Sequence, residues 1–184
     1  MDRRLVIVAG AALTLLASGC ADTGGTSAAP TPSASHRVTV SSPAFTDGGT
    51  IPRRFTCDGA DISPPLAFSG VPASATTLAV VAEDPDAPHG TFTHWLLWNA
   101  PARRTTWPAG QAPRTATQGR NGFQKTGYGG PCPPKGAAPH HYVFSVYATD
   151  RALNLPATAT PDDLRRALTG HPLASGTLTG RYGR

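Results

Sequence analysis

The sequence lacks the short motifs that identify many enzyme classes. It contains no G-x-S-x-G nucleophile turn, no H-E-x-x-H zinc motif, no G-x-x-x-x-G-K-[ST] phosphate loop and no C-x-x-C pair. These absences argue against the serine hydrolases, zinc proteases, nucleotide-binding proteins and thiol redox enzymes that depend on such motifs. We therefore expect a protein that is not an enzyme, and no cofactor is implied.

A continuous basic stripe is also missing. The chain has 16 Lys and Arg against 11 Asp and Glu, a formal net charge of +5, but its arginines are scattered in twos. Nucleic-acid-binding domains gather their cations on one face or along one helix. The charge pattern therefore predicts no nucleic-acid partner.

Helix-forming segments are scarce. With 20 Gly and 19 Pro, the chain is rich in residues that form turns. Only "TPDDLRRALTG" carries clear helix signals, with Thr160 as N-cap, Pro161 at the first helical position and Gly170 after the last turn. We expect one mainly β domain with long Gly/Pro-rich loops and one or two short helices near the C-terminus.

The apolar run near the N-terminus is too short to span a bilayer comfortably as a permanent helix. It follows Arg3 and Arg4 and leads through small residues to Cys20, which is the layout of a cleaved secretory signal over residues 1–19. The end of this segment, "LASGC", resembles the lipobox of bacterial lipoproteins, although Ala17 stands where that pattern usually has Leu. The resemblance implies acylation of Cys20; the alternative is an ordinary cleaved signal with an incidental cysteine.

The segment after Cys20 contains almost nothing that could pack in a core. Residues 20–36 are mostly small residues, Ser, Thr and Pro, which indicates a flexible tether. The folded domain is expected over residues 37–184. These predictions together describe an exported protein, held by a lipid on the outer face of the bacterial cytoplasmic membrane.

Two cysteines, Cys57 and Cys132, remain for the folded part. An oxidising compartment permits a disulfide between them, and closing so long a loop is worth about 4 kcal/mol in the chain-entropy model. Two buried free thiols are the alternative.

Several segments have the pattern of β-strands. Residues 37–42 and 141–150 alternate apolar and polar side chains, whereas 76–84 and 92–101 are almost continuously apolar, as in buried central strands. The closing "GTLTGRYGR" is predicted to form one more short strand.

Polar side chains lie at the ends of three of these strands. They are Asp84 and Asp86 after the first, His94 in the second, and His140 with Tyr142 in the third. Loops meet over a packed sheet at strand ends, and pockets tend to form there. Because alternate residues of a strand share a face, His140 and Tyr142 are expected to point into the same pocket and the intervening His141 to face solvent.

The loop "GYGGPCPPKG" is predicted to form one wall of this pocket. Its prolines, Pro131, Pro133 and Pro134, restrict the backbone, and Gly129 and Gly130 are expected to aim N–H groups inward. Imidazoles and backbone donors favour an anion such as phosphate, sulfate or a carboxylate.

Other interpretations of the same residues stay open. Asp84 or Asp86 could form a local turn before a proline, and His94 could be a hydrogen-bonded core histidine. A divalent metal held by these residues and His140 is also conceivable, but they lack the close ligand spacing of common zinc sites.

Four motifs, taken in order, are similar to those of one known family. "DPDAP", "HWLLWNAP", "GYGGPCPPKG" and "HHYVFSVYATD" resemble the phosphatidylethanolamine-binding protein (PEBP) family, and within it the bacterial YbhB/YbcL or Raf kinase inhibitor-like branch. "FTCDGADISPPLAF" and "LTGRYGR" resemble the same branch, so the likeness runs from about residue 38 to the end. It departs from the family where His141 replaces an Arg, where Phe68 replaces a Trp, and in "NGFQ".

The resemblance implies a β-sandwich core with a small anion pocket. The ligand-binding residues it implies are Asp84, Asp86, His94, Pro133, His140 and Tyr142. The expected function is binding of a small anion or phospholipid head group by an exported, lipid-anchored protein. Inhibition of an extracytoplasmic protease or kinase is the alternative, and hydrolysis of phosphate esters is the third and least favoured hypothesis.

Overall fold

The computed structural model describes residue 34 and residues 36–184. The predicted signal segment, Cys20 and nearly all of the predicted tether lie outside the described residues. Among the residues it does describe, no helix has the length and apolar character needed to cross a membrane.

Two β-sheets form the domain. The strands are β1 (His36–Arg37), β2 (Thr39–Ser41), β3 (Leu66–Ser69), β4 (Thr77–Asp84), β5 (Phe92–Pro101), β6 (Thr106–Trp107), β7 (Thr117–Gln118), β8 (His140–Thr149) and β9 (Pro172–Tyr182). The larger sheet has the order β1-β9-β8-β4-β5-β7, and the smaller has the order β2-β3-β6. A 3₁₀ turn (Arg53–Phe55) and the helix α1 (Pro161–Leu168) complete the regular structure described. The expectation of a mainly β sandwich is confirmed, with a single α-helix near the C-terminus.

The central strands β4 and β5 are buried on both faces, as their apolar runs predict, whereas β8 alternates buried and partly exposed residues in its first half, as its alternating pattern predicts. One core lies between the sheets and includes Trp95 and Phe144. A second core lies on the other face of the large sheet, where Leu164 and Leu168 of α1 pack with Trp98 of β5. The large sheet is therefore a rigid middle layer from which loops at one end can build a site.

Helix α1 begins where the sequence signals place it. The Thr160 side chain accepts a hydrogen bond from the Asp163 N–H, and the Asp163 carboxylate accepts one from the Thr160 N–H at 2.8 Å, which together form a capping box. Leu164 and Leu168, four residues apart, are fully buried on the face that meets the sheet.

Two strands differ from their predicted form. The closing strand β9 has 11 residues rather than a few, because it pairs with β8 along nearly its whole length. The predicted strand 37–42 is divided into β1 and β2, which join different sheets. β1 runs parallel to β9 with His36 opposite Ala174, and the chain crosses so close to β9 that a β-carbon on Gly176 would lie 1.8 Å from the Val38 carbonyl oxygen. Glycine is therefore required at position 176.

Candidate functional site

A β-bulge in β5 determines where His94 points. Ala82 of β4 is paired with Trp95 and the next residue, Glu83, with Thr93, so His94 is an extra residue between the two pairs. Such a bulge re-aims a side chain that regular alternation would send to the other face. The His94 ring consequently lies 5.2 Å, centroid to centroid, from the ring of Tyr142, a residue of the core between the sheets.

Asp84 and His140 form a buried pair at the ends of adjacent strands. His140 Nδ1 lies 2.7 Å from Asp84 Oδ2, and the two side chains are only 10% and 5% exposed. Since a carboxylate oxygen accepts, the Nδ1 of His140 carries the proton in this contact. The other Asp84 oxygen accepts the N–H of Asp86 at 2.8 Å, so both carboxylate oxygens have partners.

His94 is held by the Gly-Pro loop. Its Nδ1 lies 2.7 Å from the Gly129 carbonyl oxygen, which can only accept, so Nδ1 carries a proton. Burial lowers the pKa of His94, and the hydrogen bond to Gly129 and the nearby Asp84 carboxylate oppose that shift only in part. The neutral ring then leaves Nε2 as its remaining polar atom.

A pocket of about 190 Å³ brings these groups together. Four of the residues that line it were predicted from sequence: Asp84, His94, Pro133 and His140. The other lining residues were not predicted as ligand contacts, and they are Ala87, Pro88, Phe92, Phe123, Cys132 and Pro134. The rings of Phe92 and Phe123 meet edge to face with centroids 4.7 Å apart, and Phe123 is 41% exposed. The pocket thus combines two imidazoles and one carboxylate with an aromatic side wall.

Asp86 does not line the pocket. Its Oδ2 accepts two hydrogen bonds from His141, from the backbone N–H and from Nδ1, both at 2.7 Å. These bonds lower the pKa of Asp86, and the pair is about 40% exposed. Asp86 therefore fixes the turn after β4 to the start of β8, while His141 points away from the pocket.

Tyr142 lies behind the pocket rather than on its surface. It is only 2% exposed, and its hydroxyl has no hydrogen-bond partner among the described residues, although the Asp84 carboxylate and the Cys132 backbone lie near it. Burial and Asp84 both raise the pKa of Tyr142, so the phenol stays protonated. A buried hydroxyl without a partner can donate a hydrogen bond to a ligand atom, or to a protein acceptor after a small shift of the site.

The expectation that Gly129 and Gly130 aim free N–H groups inward is wrong. The Gly129 N–H donates to the His94 carbonyl at 2.9 Å, and the Gly130 N–H donates to Asp61 Oδ1 at 2.6 Å. Neither N–H group is therefore free for a ligand, since one bonds the loop to β5 and the other bonds it to the segment that carries Asp61.

A disulfide and an arginine side chain connect the Gly-Pro loop to other segments of the chain. Cys57 and Cys132 form a disulfide with Cα atoms 5.4 Å apart. The Arg184 guanidinium lies 2.9 Å from Asp58 Oδ1 and 3.3 Å from the Cys132 sulfur. Since Cys132 borders the pocket, these contacts hold one of its walls in place.

The aromatic wall was missed because it depends on loop geometry. Phe123 lies in "NGFQ", and its position is set by Asn121, whose Oδ1 accepts the N–H groups of Phe123 and Lys125. Asn121 is buried, and its Nδ2 donates to the Gly127 carbonyl at 2.9 Å. An Asn in a Gly-rich loop is the sequence signal that could have indicated an ordered turn here.

The described residues contain no group of three or more His, Cys, Asp or Glu side chains placed to hold a metal ion. Asp84, His94 and His140 border one pocket, but Nδ1 of each histidine and both Asp84 oxygens are bonded within the protein. The geometry gives no support to the metal interpretation.

Comparison with known proteins identifies the family. The model of the phosphatidylethanolamine-binding protein family matches residues 41–183. The chain belongs to this family. Two crystal structures of bacterial PEBP homologues resemble it closely. Chlamydia trachomatis CT736 gives a TM-score of 0.76 at 37% identity and covers 82% of this chain and 99% of its own. Escherichia coli YbcL gives 0.75 at 32% identity, with 80% and 99% covered.

Sequence relatives of this PEBP family member extend to archaea and mycobacteria. A UPF0098 protein of Pyrococcus abyssi is 44% identical over 154 residues, which is 80% of this chain and 85% of the relative. A protein of Mycobacterium tuberculosis named as a candidate lipoprotein, LppC, is 35% identical over an alignment of 196 positions, covering 99% of this chain and 97% of the relative.

Proposed function

We propose that the protein binds a small anion, phosphate or a phosphorylated head group, in the pocket between His94, His140 and the Gly-Pro loop. The observation that carries this proposal is the buried Asp84–His140 pair beside His94 in a cavity of about 190 Å³. Membership of a family of binding proteins supports the same function.

The histidines offer defined ligand contacts. Nδ1 of each ring is bonded within the protein, so Nε2 is the atom left to meet a ligand. An Nε2 lone pair accepts from a protonated phosphate, and an imidazolium Nε2–H donates to an ionised one. The carboxylate of Asp84 orients His140 for either contact.

The aromatic wall favours a phosphate ester over free phosphate. Phe92 and Phe123 provide apolar surface beside the imidazoles. The methylene groups of an ester can pack against these rings, whereas inorganic phosphate leaves them solvated. We therefore expect phosphoethanolamine to bind more tightly than phosphate or sulfate.

Calorimetric titration with phosphoethanolamine, phosphate and sulfate tests the proposal. His140→Ala should weaken binding at least about tenfold, the loss expected when a charge-assisted hydrogen bond is removed. His89→Ala is the control, since His89 is exposed and does not border the pocket. Equal binding by both variants would show that the pocket is not the binding site.

We also propose export and lipid attachment at Cys20. The support is the N-terminal pattern, together with the LppC relative, which aligns over nearly the whole chain. In the native host, metabolic labelling with a fatty acid should mark the wild-type protein and leave Cys20→Ala unlabelled. A labelled Cys20→Ala protein, or an unlabelled wild type, contradicts this.

We further propose that the pocket has no catalytic role. Both Asp84 oxygens are engaged within the protein, which leaves no free carboxylate to attack a phosphorus atom. Steady turnover of a generic phosphate ester, abolished by Asp84→Asn, would overturn this.

A further inference from the structure

A second and larger cavity lies next to the proposed pocket. This groove has a volume of about 1020 Å³ and is bordered by polar side chains from several chain segments, among them Ser63, Arg104, Gln111, Arg114, Thr115 and Thr126. Gly127 and Tyr128 border the groove, and residues 132–134 of the same loop border the pocket. The two cavities have no lining residue in common, and different residues of one loop border each of them.

The chain around the groove is basic. Residues 87–149 contain no Asp or Glu, and their Lys and Arg residues are Arg103, Arg104, Arg114, Arg120, Lys125 and Lys135. The one acid bordering the groove, Asp61, comes from another segment, and its Oδ1 already accepts the Gly130 N–H. The lining therefore carries a net positive charge although the arginines look scattered in the sequence.

Two guanidinium groups in this lining have no acidic or hydrogen-bonding partner among the described residues. Within residues 36–184, the side chains of Arg104 and Arg114 make no ion pair or hydrogen bond, whereas Arg151, Arg165, Arg166 and Arg184 are all paired with acids. Their backbones are nevertheless fixed. The Arg104 N–H donates to the Pro101 carbonyl, and Arg114 lies within a turn closed by a bond from the Ala116 N–H to the Pro113 carbonyl.

Internal hydrogen bonds and ring packing make the inner wall of the groove rigid. Trp95 Nε1 donates to Gln118 Oε1 at 2.8 Å, which leaves the Gln118 NH₂ group to face other partners. The Tyr128 ring packs edge to face on Trp95, and its hydroxyl donates to the Phe55 carbonyl at 2.8 Å. Of these groups the Gln118 NH₂ is the donor that remains for a ligand, and because its amide is already held by Trp95 it loses little entropy when a ligand binds.

We propose that this groove binds an oligomeric anion with hydroxyl groups on its backbone, of the polyol phosphate class. Arginine recognises phosphate through a fork of donors, and two unpaired guanidinium groups border one cavity. The cavity is far larger than a single phosphate requires, so it has room for several units of such a ligand. The hydroxyl and amide side chains of Ser63, Gln111 and Thr126 match ligand hydroxyl groups better than they match the apolar side chains of a peptide.

Titration calorimetry with poly(glycerol phosphate), tripolyphosphate and a poly-glutamate peptide tests the proposal. The double variant Arg104→Gln/Arg114→Gln should bind poly(glycerol phosphate) at least about tenfold more weakly, because two charge-assisted contacts are lost. The matched control is Arg103→Gln/Arg120→Gln, which removes the same charge from exposed arginines outside the groove lining and should stay within about twofold of wild type. The indole N–H resonance of Trp95 provides a site-specific readout, and it should move only when the groove is filled.

The outcomes distinguish this groove from the pocket. Retention of poly(glycerol phosphate) binding by His140→Ala supports two separate sites, and its loss in that variant overturns the proposal. Equal weakening in both double variants shows general charge attraction and also overturns it. Tighter binding of poly-glutamate, equal binding of tripolyphosphate, which lacks hydroxyl groups, or no binding at all contradicts the ligand class.

Discussion

The backbone of Gly129 lies against the ring of Phe123. A β-carbon at position 129 would be 2.6 Å from Phe123 Cδ2, a distance that requires the ring to move. Since Gly129 also holds His94 through its carbonyl oxygen, one loop residue sets the position of both an imidazole and an aromatic wall of the pocket.

Gly129→Ala should therefore disturb the pocket more than the rest of the fold. We expect a loss of about 1–3 kcal/mol in the free energy of unfolding, which is usual for overpacking, together with weaker phosphoethanolamine binding. Urea denaturation and calorimetry measure the two effects. Adding Phe123→Ala removes the clash, so the double variant should regain part of the lost stability; no recovery would show that the ring is not the obstacle.

Asp84 and Asp86 should differ in their effect on stability, although both accept hydrogen bonds from a histidine. Asp84→Asn breaks a buried pair and should cost about 1–3 kcal/mol, because the amide cannot accept at both positions. Asp86→Asn alters an exposed pair and should cost less than about 1 kcal/mol. Urea denaturation of the two variants gives the comparison, and equal costs would mean that the Asp84–His140 pair is not effectively buried.

His94 should make stability depend on pH. Its folded-state pKa is lowered by burial from the usual 6.5. As pH falls through about 6.5 the unfolded chain takes up a proton that the folded protein does not, so the free energy of unfolding decreases until the folded-state pKa is reached. His94→Gln should flatten this part of the profile, whereas His89→Gln, at an exposed site, should leave it unchanged.

The cap of helix α1 should titrate in acid. Hydrogen bonds from Thr160 lower the pKa of Asp163 from 3.8 to about 2. The stabilisation that the ionised Asp163 gives to the folded protein is therefore complete above about pH 4 and is lost as the pH falls towards 2. The amide resonances of Thr160 and Asp163 should shift over that range in wild type; Thr160→Ala should raise the midpoint, and an unchanged midpoint would argue against the capping box.

The disulfide should contribute to both stability and binding. Loops of this length are worth about 4 kcal/mol in the chain-entropy model, so Cys57→Ser/Cys132→Ser should unfold at markedly lower urea concentration. Because Cys132 borders the pocket, phosphoethanolamine binding should weaken as well. Arg184→Gln, which keeps the disulfide but removes the guanidinium beside it, should have a smaller effect on stability.

The central strands and the helix could be predicted from sequence because their signals are local. Apolar runs define β4 and β5, alternation of apolar and polar side chains defines β8, and Thr160 with Pro161 marks the start of α1. Pairing is not local, and so the length of β9 and the division between β1 and β2 were not predicted. The length of β9 depends on its pairing with β8, and the division between β1 and β2 depends on the pairing of β1 with β9.

The site was predictable only as a set of residues near strand ends. The bulge that turns His94 is a mismatch between two strands, and nothing in "FTHW" alone reveals it. The same applies to Asp86, which binds His141 rather than bordering the pocket, and to Gly130, whose N–H meets Asp61 from a distant segment. Such contacts are decided by tertiary packing, which composition and spacing do not determine.

The parallel pairing of β1 with β9 has a consequence for how the protein would sit on a membrane. His36 is opposite Ala174, whereas His140 is opposite Tyr182, eight residues further along β9, so the chain enters the sheet roughly 26 Å from the pocket end. A lipid at the N-terminus would therefore be joined, through the predicted flexible tether, to the end of the sandwich away from the pocket. The attachment point would leave the mouth of the pocket unobstructed by the tether, so that soluble molecules and a facing surface could both reach it.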